Sequence, residues 1–158
     1  MHIQPFIKNI IFDFGGVILN IDYKLTEKAF AKLGLMEFDK IYSQSVQSDL
    51  FDAFETGAIS SQQFRAGIRK FIASSSDAEI DKAWNAMLLD LPEERIRFLD
   101  KLRKTHRIFL LSNTNEIHYT AFSGYMKEKF RRDIFAELFE KAYVSHQVKM
   151  RKPHAEIF

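Results

Sequence analysis

The chain has 158 residues, of which 46% are apolar and 28% charged; these values exclude a disordered chain and suit one domain or a modest core with an inserted subdomain. The net charge of +2 comes from interspersed acids and bases, which argues against a nucleic-acid-binding face, and the absence of cysteine excludes disulfide and thiolate chemistry. No window approaches the roughly 18 consecutive apolar residues of a membrane span, so we expect a cytoplasmic protein that binds neither nucleic acid nor membrane. The sequence carries no signal for an oligomeric state.

The first predicted element is a buried strand over residues 8–13, which ends on the carboxylate of Asp13. Gly15 and Gly16 follow, and two glycines allow a sharp turn and the close approach of a ligand to the backbone. Ligands of open α/β sheets bind beyond the carboxyl ends of the strands, where Asp13 would lie. Taken alone, the stretch is equally typical of a strand followed by a plain turn, with Asp13 as a solvated turn residue.

Residues 20–91 predict a helical block of roughly four helices, and we use that name for this range throughout. Thr26 is expected to cap the first helix. Two later helices begin with the spacing of a capping box, at the pairs Ser60/Gln63 and Ser76/Glu79. An apolar stripe with helical period follows each pair, which is typical of a packing face.

Beyond the helical block, helices and strands are predicted to alternate. The predicted elements are a helix from Pro92 to about Lys104, a strand over 107–112, a helix capped by Asn113 or Thr114, a helical or irregular stretch over 115–140, a short strand over 142–145 and a last helix opening at Lys152 and Pro153. This alternation favours an α/β fold with a parallel sheet. We therefore predict a core of residues 1–19 and 92–158, interrupted by the helical block.

Three predicted strand ends carry three different polar groups. Asp13 offers a carboxylate, Ser112 a hydroxyl followed by Asn113, and Lys152 an ammonium near the start of a helix. The carboxyl ends of parallel strands face one crevice, so these groups are expected to converge. A carboxylate can attack phosphorus, while an ammonium and a hydroxyl can neutralise phosphate oxygens. Each residue alone also has a plain structural interpretation, and the joint placement favours a phosphate site.

Three segments resemble motifs I, II and III of the haloacid dehalogenase-like (HAD) hydrolase superfamily, in the order of that family; they are residues 11–18, 110–115 and 150–153. The helical block between the first two resembles the small α-helical cap of subfamily I. The motifs are similar to those of sugar-phosphate phosphatases and of the N-terminal domain of soluble epoxide hydrolases. The resemblance implies a Rossmann-like three-layer core with a helical cap, and a Mg²⁺-dependent phosphatase acting on a small phosphorylated metabolite such as a sugar phosphate.

The resemblance also implies roles for individual residues. Asp13 would be the nucleophile and a magnesium ligand, and the backbone carbonyl of Gly15 would supply a second magnesium contact. Lys152 would be catalytic by orienting Asp13. The implied phosphate-binding residues are Ser112, Asn113, Lys152 and Gly16.

Two positions depart from the family pattern. Gly15 stands where these phosphatases usually carry a second Asp as general acid, and a missing general acid costs about 10²- to 10⁴-fold. We therefore expect substrates with good leaving groups, such as an anomeric sugar phosphate or an acyl phosphate. Lys149 stands where the family commonly has Gly; it could add a cation beside the phosphate or impose an unfavourable backbone angle. His118 follows motif II and is expected to be a surface histidine.

The family places one or two further carboxylates beyond motif III, where they complete the magnesium site. These motif IV acids are not among the 158 residues, so we expect a fragment that lacks the C-terminal part of the core. Two alternatives stay open. The chain could be a catalytically incomplete phosphate-binding fragment, or a haloacid dehalogenase-type hydrolase in which Asp13 attacks carbon without a metal.

Overall fold

The computed structural model describes residues 6–42, 49–72 and 74–158. Within these residues a parallel sheet has the strand order β1 (Asn9–Phe12), β2 (Arg107–Ser112) and β3 (Lys141–Val144). The register places Phe12 opposite Leu110 and Ser112 opposite Val144, so all three strands end at the same edge. The predicted α/β fold with a parallel sheet is confirmed.

The helical block contains five helices within the described residues. They are α1 (Tyr23–Lys32), α2 (Phe38–Ile41), α3 (Asp49–Glu55), α4 (Ser61–Ile68) and α5 (Asp77–Asn85). The remaining helices flank the later strands: α6 (Glu93–Leu102) before β2, α7 (Glu116–Phe130) and α8 (Ile134–Leu138) before β3, and α9 (Ser145–Val148) after it. No helix within the described ranges is long and apolar enough to cross a membrane.

Both predicted capping boxes form, at the starts of α4 and α5. The prediction for α1 was wrong, because Asp22 is its cap and accepts the amide of Lys24 at 2.9 Å. Thr26 is instead fully buried inside α1. Its hydroxyl donates to the carbonyl of Trp84 at 2.9 Å and accepts the amide of Met87 at 3.0 Å, which ties α1 to the end of α5.

The residue that caps α7 also differs from the prediction. Asn115 caps this helix, with its side-chain oxygen accepting the amide of His118 at 3.0 Å, so neither Asn113 nor Thr114 has that role. At the far end of the chain, the expected helix at Lys152 is a short 3₁₀ turn, Ala155–Ile157. The short helix α9 was not predicted.

Buried side chains form two clusters. The first packs around the sheet and joins Phe14 to residues of α6, β2, α7 and α8. The second lies in the helical block and is strongly aromatic; its largest fully buried members are Phe30, Phe38, Phe51, Phe54, Phe64 and Trp84. Ile117 of α7 belongs to the second cluster, so α7 contacts both.

Candidate functional site

The three predicted strand-end groups meet at the carboxyl edge of the sheet. Asp13, Ser112 and Lys152 line one cavity of about 370 Å³, together with Gly15 and Asn113. Asp13 follows β1 and Ser112 is the last residue of β2, while Lys152 arrives from the segment after β3 and α9. The parallel register of the strands therefore explains why residues far apart in the sequence share this cavity.

Lys152 and Asp13 form a direct ion pair. The ammonium Nζ lies 2.7 Å from Asp13 Oδ2 and donates to the carbonyl of Leu111 at 3.0 Å. The other carboxylate oxygen, Oδ1, accepts the amide of Phe14 at 2.7 Å. The Asp13 side chain is 45% exposed, so the carboxylate is oriented by its partners and still reachable from the cavity.

The Asn113 side chain lies against the backbone of Lys152. Its side-chain amide donates to the Lys152 carbonyl at 2.9 Å, and its side-chain oxygen accepts the Lys152 amide at 2.8 Å. Both polar functions of the side chain are thus directed at the backbone of Lys152. Asn113 thus fixes the segment that carries the ammonium, and its role in phosphate binding stays a prediction.

The structural role of Ser145, at the start of α9, was not predicted from the sequence. Its hydroxyl accepts the amide of Thr114 at 2.9 Å and donates to the Thr114 carbonyl at 2.7 Å. Ser145 is fully buried, so this two-point contact holds the loop after β2 against the end of β3. The signal was a hydroxyl residue at the end of a predicted strand, as at Ser112.

Gly15 and Gly16 have different surroundings. Gly15 lines the cavity, but Gly16 is not among its lining residues. Gly16 has a φ of +76°, which favours glycine, and its amide donates to the Leu19 carbonyl at 2.8 Å. The structure therefore brings Gly15 to the other predicted site residues and leaves Gly16 in the turn behind them.

The oxygen atoms at this edge fit part of a magnesium shell. Mg²⁺ prefers oxygen ligands and is commonly held by one or two carboxylates together with waters and substrate phosphate. Asp13 supplies a carboxylate, and Gly15 lies beside it on the cavity wall. In the described part of the chain, no group of three or more His, Asp or Glu side chains is placed to hold a metal ion.

Part of the cavity wall comes from the helical block. Tyr23, Tyr42 and Glu55 line it, beside Arg151 from the segment before Lys152. Arg151 pairs with two carboxylates of α3, at 2.6 Å from Asp52 and 3.0 Å from Glu55. Burial and the neighbouring Glu55 carboxylate raise the pKa of Tyr42, so its hydroxyl stays neutral.

Lys149 contacts the helical block and does not line the cavity. Its ammonium donates to the carbonyl of Gly57 at 2.7 Å. Its φ is +61°, so a non-glycine residue adopts here the left-handed backbone that glycine adopts more easily. Gly57 also has a positive φ, and a Cβ there would collide with the carbonyl of His146. The two segments therefore approach each other closely at this point.

The prediction for His118 was wrong, because this residue is buried and lines the cavity. Its ring stacks on Trp84 with centroids 4.6 Å apart, and Nε2 lies 3.1 Å from the Trp84 carbonyl. Nδ1 lies 3.2 Å from the side-chain amide of Asn115. A ring that donates from Nε2 and accepts at Nδ1 is the neutral tautomer. Burial lowers the pKa of His118 to about 4.

We expect His118 to make the protein less stable in mild acid. Its pKa is about 4 in the folded chain and 6.5 when unperturbed, so between these values the unfolded state binds the proton more readily. Its contribution to stability is complete above pH 6.5 and is lost as the pH falls toward 4. Between pH 7 and 5 this amounts to about 2 kcal/mol of unfolding free energy.

Urea unfolding of the wild type and of His118→Gln, measured from pH 7 to 5, checks this expectation. The glutamine side chain has a donor and an acceptor but does not titrate. The free energy of unfolding of His118→Gln should therefore fall less than that of the wild type as the pH is lowered. Other titrating groups, including the partly buried His146, are common to both proteins and cancel in the difference. Parallel pH dependence of the two proteins would contradict the assignment.

Comparison with known proteins identifies relatives of this chain. No family model matches the chain. A curated protein of Bacteroides thetaiotaomicron named D-ribitol-5-phosphate phosphatase is 33% identical over 155 residues. The match covers 96% of this chain and 74% of that relative.

Two solved structures are similar over the same range. One is a crystal structure of a HAD family enzyme from B. thetaiotaomicron, an Asp-to-Ala variant in complex with magnesium and inorganic phosphate, with 36% identity and a TM-score of 0.87. The other is the structure of a predicted HAD-like family hydrolase from Porphyromonas gingivalis, with 27% identity and a TM-score of 0.85. Each match covers 96% of this chain, and 75% and 73% of the respective relatives.

Proposed function

The chain belongs to the HAD hydrolase family, and we propose that it is a phosphatase that hydrolyses a small sugar or alditol monophosphate through an aspartyl-phosphate on Asp13. One observation carries the proposal. The Asp13 carboxylate, paired with Lys152 at 2.7 Å, lies on the wall of a cavity at the carboxyl edge of a parallel sheet. A half-exposed carboxylate held by a fixed cation is suited to in-line attack on a bound phosphate.

In the first step, a carboxylate oxygen of Asp13 attacks phosphorus. A bond from that oxygen to phosphorus forms, the bond from phosphorus to the substrate oxygen breaks, and its electron pair leaves with the alkoxide. Lys152 and the Ser112 hydroxyl neutralise charge on the phosphoryl oxygens. Water then attacks the phosphorus of the aspartyl-phosphate, and the bond from phosphorus to the Asp13 oxygen breaks, which releases inorganic phosphate and restores the carboxylate. The alkoxide takes up one proton from solvent, and the attacking water returns one proton to solvent.

We assign magnesium to the same edge of the sheet. The Asp13 carboxylate and the Gly15 carbonyl would hold the ion, with waters and substrate phosphate as further ligands. When bound, the ion neutralises charge that develops on the phosphoryl oxygens. The HAD family enzyme of B. thetaiotaomicron, which shares 36% identity with this chain, has been crystallised with magnesium and phosphate, which supports this assignment.

The two clusters of buried side chains support a division of the chain into two parts. We propose that residues 1–19 and 92–158 form the catalytic core and that the helical block, residues 20–91, is the cap that covers it. Tyr23, Tyr42 and Glu55 are the cap residues on the cavity wall. The cap would exclude water from the phosphoryl group and contact the part of the substrate beyond the phosphate.

Two observations favour different leaving groups for the reaction. Gly15 has no carboxyl to protonate a leaving alkoxide, which favours anomeric and acyl phosphates. The B. thetaiotaomicron relative carries the name of an enzyme for D-ribitol 5-phosphate, whose leaving group is a primary alcohol. Anomeric sugar phosphates and alditol phosphates share a polyhydroxylated body and a single phosphate, and that body is what the proposal commits to.

A substrate screen tests the proposed function. We expect phosphate release from D-ribitol 5-phosphate, from anomeric sugar phosphates or from both, and we expect it only when magnesium is present. Activity that persists in excess chelator would contradict the metal-dependent mechanism. Phosphate binding without release from any ester would identify a catalytically incomplete domain, and chloride release from a haloacid would identify a dehalogenase.

A further inference from the structure

The cavity has an unusual charge arrangement where the helical block contributes to its wall. Arg151 is 17% exposed and lines the cavity, and Asp52 and Glu55 both pair with it, at 2.6 and 3.0 Å. Glu55 is itself largely buried, at 11% exposure, and faces the cavity with Arg151. One guanidinium shared by two carboxylates leaves a formal charge of −1 on this group of side chains.

The tyrosines described on this wall, Tyr23 and Tyr42, add no positive charge. Tyr42 keeps its proton because burial and Glu55 raise its pKa. Lys149, two residues before Arg151, donates to the carbonyl of Gly57 and is absent from the cavity lining. Lys152 therefore offers its ammonium to an anion in this cavity, whereas Arg151 is already compensated by two carboxylates, one of which, Glu55, lines the wall.

We propose that Glu55, held by Arg151, is a specificity-determining residue that restricts this enzyme to monophosphates whose far end is uncharged and rich in hydroxyl groups. The proposal rests on the proposed function. A second phosphate or a carboxylate at the far end would meet the Glu55 carboxylate in a partly desolvated wall, where repulsion between like charges is costly. Sugar and alditol monophosphates avoid this cost, and bisphosphates and sugar-acid phosphates do not.

The same wall can bind hydroxyl groups. A carboxylate accepts hydrogen bonds from hydroxyls, and a neutral tyrosine hydroxyl both donates and accepts. The Glu55 carboxylate and the Tyr42 hydroxyl therefore offer complementary partners to a polyol chain. A cavity of about 370 Å³ is near the lower limit of small-molecule sites, which suits a short sugar rather than a nucleotide.

A matched pair of substrates tests the proposal. One is D-ribitol 5-phosphate; the other is the corresponding aldonic acid phosphate, in which a carboxylate replaces the CH₂OH group farthest from the phosphate. We expect the wild type to prefer the alditol phosphate by at least about tenfold in kcat/KM. Glu55→Gln should reduce this preference about tenfold, mainly by improving the aldonic acid phosphate.

Glu27→Gln is the matched control. Glu27 is exposed on α1 in the same helical block and outside the cavity lining, so this variant loses the same charge without changing the wall. We expect its preference to equal that of the wild type. An equal change in both variants would show a general charge effect and overturn the role of Glu55.

The wild-type ratio alone keeps the proposal falsifiable if Glu55→Gln does not fold. Similar kcat/KM values for the two substrates would overturn the inference and leave the proposed function intact. If the wild type hydrolyses no sugar or alditol phosphate, the proposed function itself fails and the inference fails with it.

Discussion

Replacing Asp13 with Asn is expected to abolish phosphate release, with kcat lower by about 10⁴-fold or more. The amide has the size of the carboxylate but is a very poor nucleophile, and it removes the charge that pairs with Lys152 at 2.7 Å. Steady-state phosphate release with saturating substrate and magnesium measures the effect. Single-turnover trapping of an acid-stable phosphoprotein should fail in the same variant.

Asp39→Asn controls for a general loss of charge. Asp39 is an exposed residue of α2 and is not among the cavity lining residues, so the activity of this variant should match the wild type. Circular dichroism of Asp13→Asn should match the wild type as well, because the Asp13 side chain is half-exposed. Substantial activity in a folded Asp13→Asn protein would remove Asp13 as the nucleophile.

Replacing Trp84 with Ala is expected to lower the free energy of unfolding by about 3–5 kcal/mol. The indole is 1% exposed and packs against the rings of Phe51, Phe64 and Tyr42, and it stacks on His118. Its ring nitrogen also donates to Asn115 at 3.3 Å. The variant therefore loses apolar burial, leaves a large cavity and removes a buried hydrogen bond.

Urea unfolding at pH 7 measures this change. Phe98→Ala is the control, because Phe98 is a large aromatic residue of α6 that is 43% exposed, and its removal should cost much less. A loss below about 1 kcal/mol in Trp84→Ala would show that the aromatic cluster repacks around the missing ring. Such a result would make the helical block more plastic than its close packing indicates.

Local patterns in the sequence were sufficient for the sheet and for several helix starts. The strand over 107–112 and the capping boxes at Ser60 and Ser76 were predicted correctly because each depends on residues within a few positions of one another. Thr26 and Asn115 show the limit of this reasoning. Either of two nearby polar residues can cap a helix, and tertiary packing decides which one does so.

Only some of the residues on the cavity wall could be predicted from the sequence. Asp13, Ser112 and Lys152 follow strands whose parallel pairing brings their ends together, so their convergence could be predicted. Tyr42 and Glu55 follow no such rule, because their approach depends on how the helical block packs on the sheet. His118 was placed at the surface for the same reason: its partner, the carbonyl of Trp84, lies 34 residues away in the sequence.

Three residues of the short segment 149–152 contact either the proposed nucleophile or the helical block. Lys152 reaches Asp13, Arg151 reaches Asp52 and Glu55, and Lys149 reaches Gly57. A substitution in residues 52–57 that adapts the wall to another substrate therefore also disturbs the backbone from which the catalytic ammonium extends. In the evolution of this protein, a new substrate range and an unchanged turnover rate would be difficult to acquire independently.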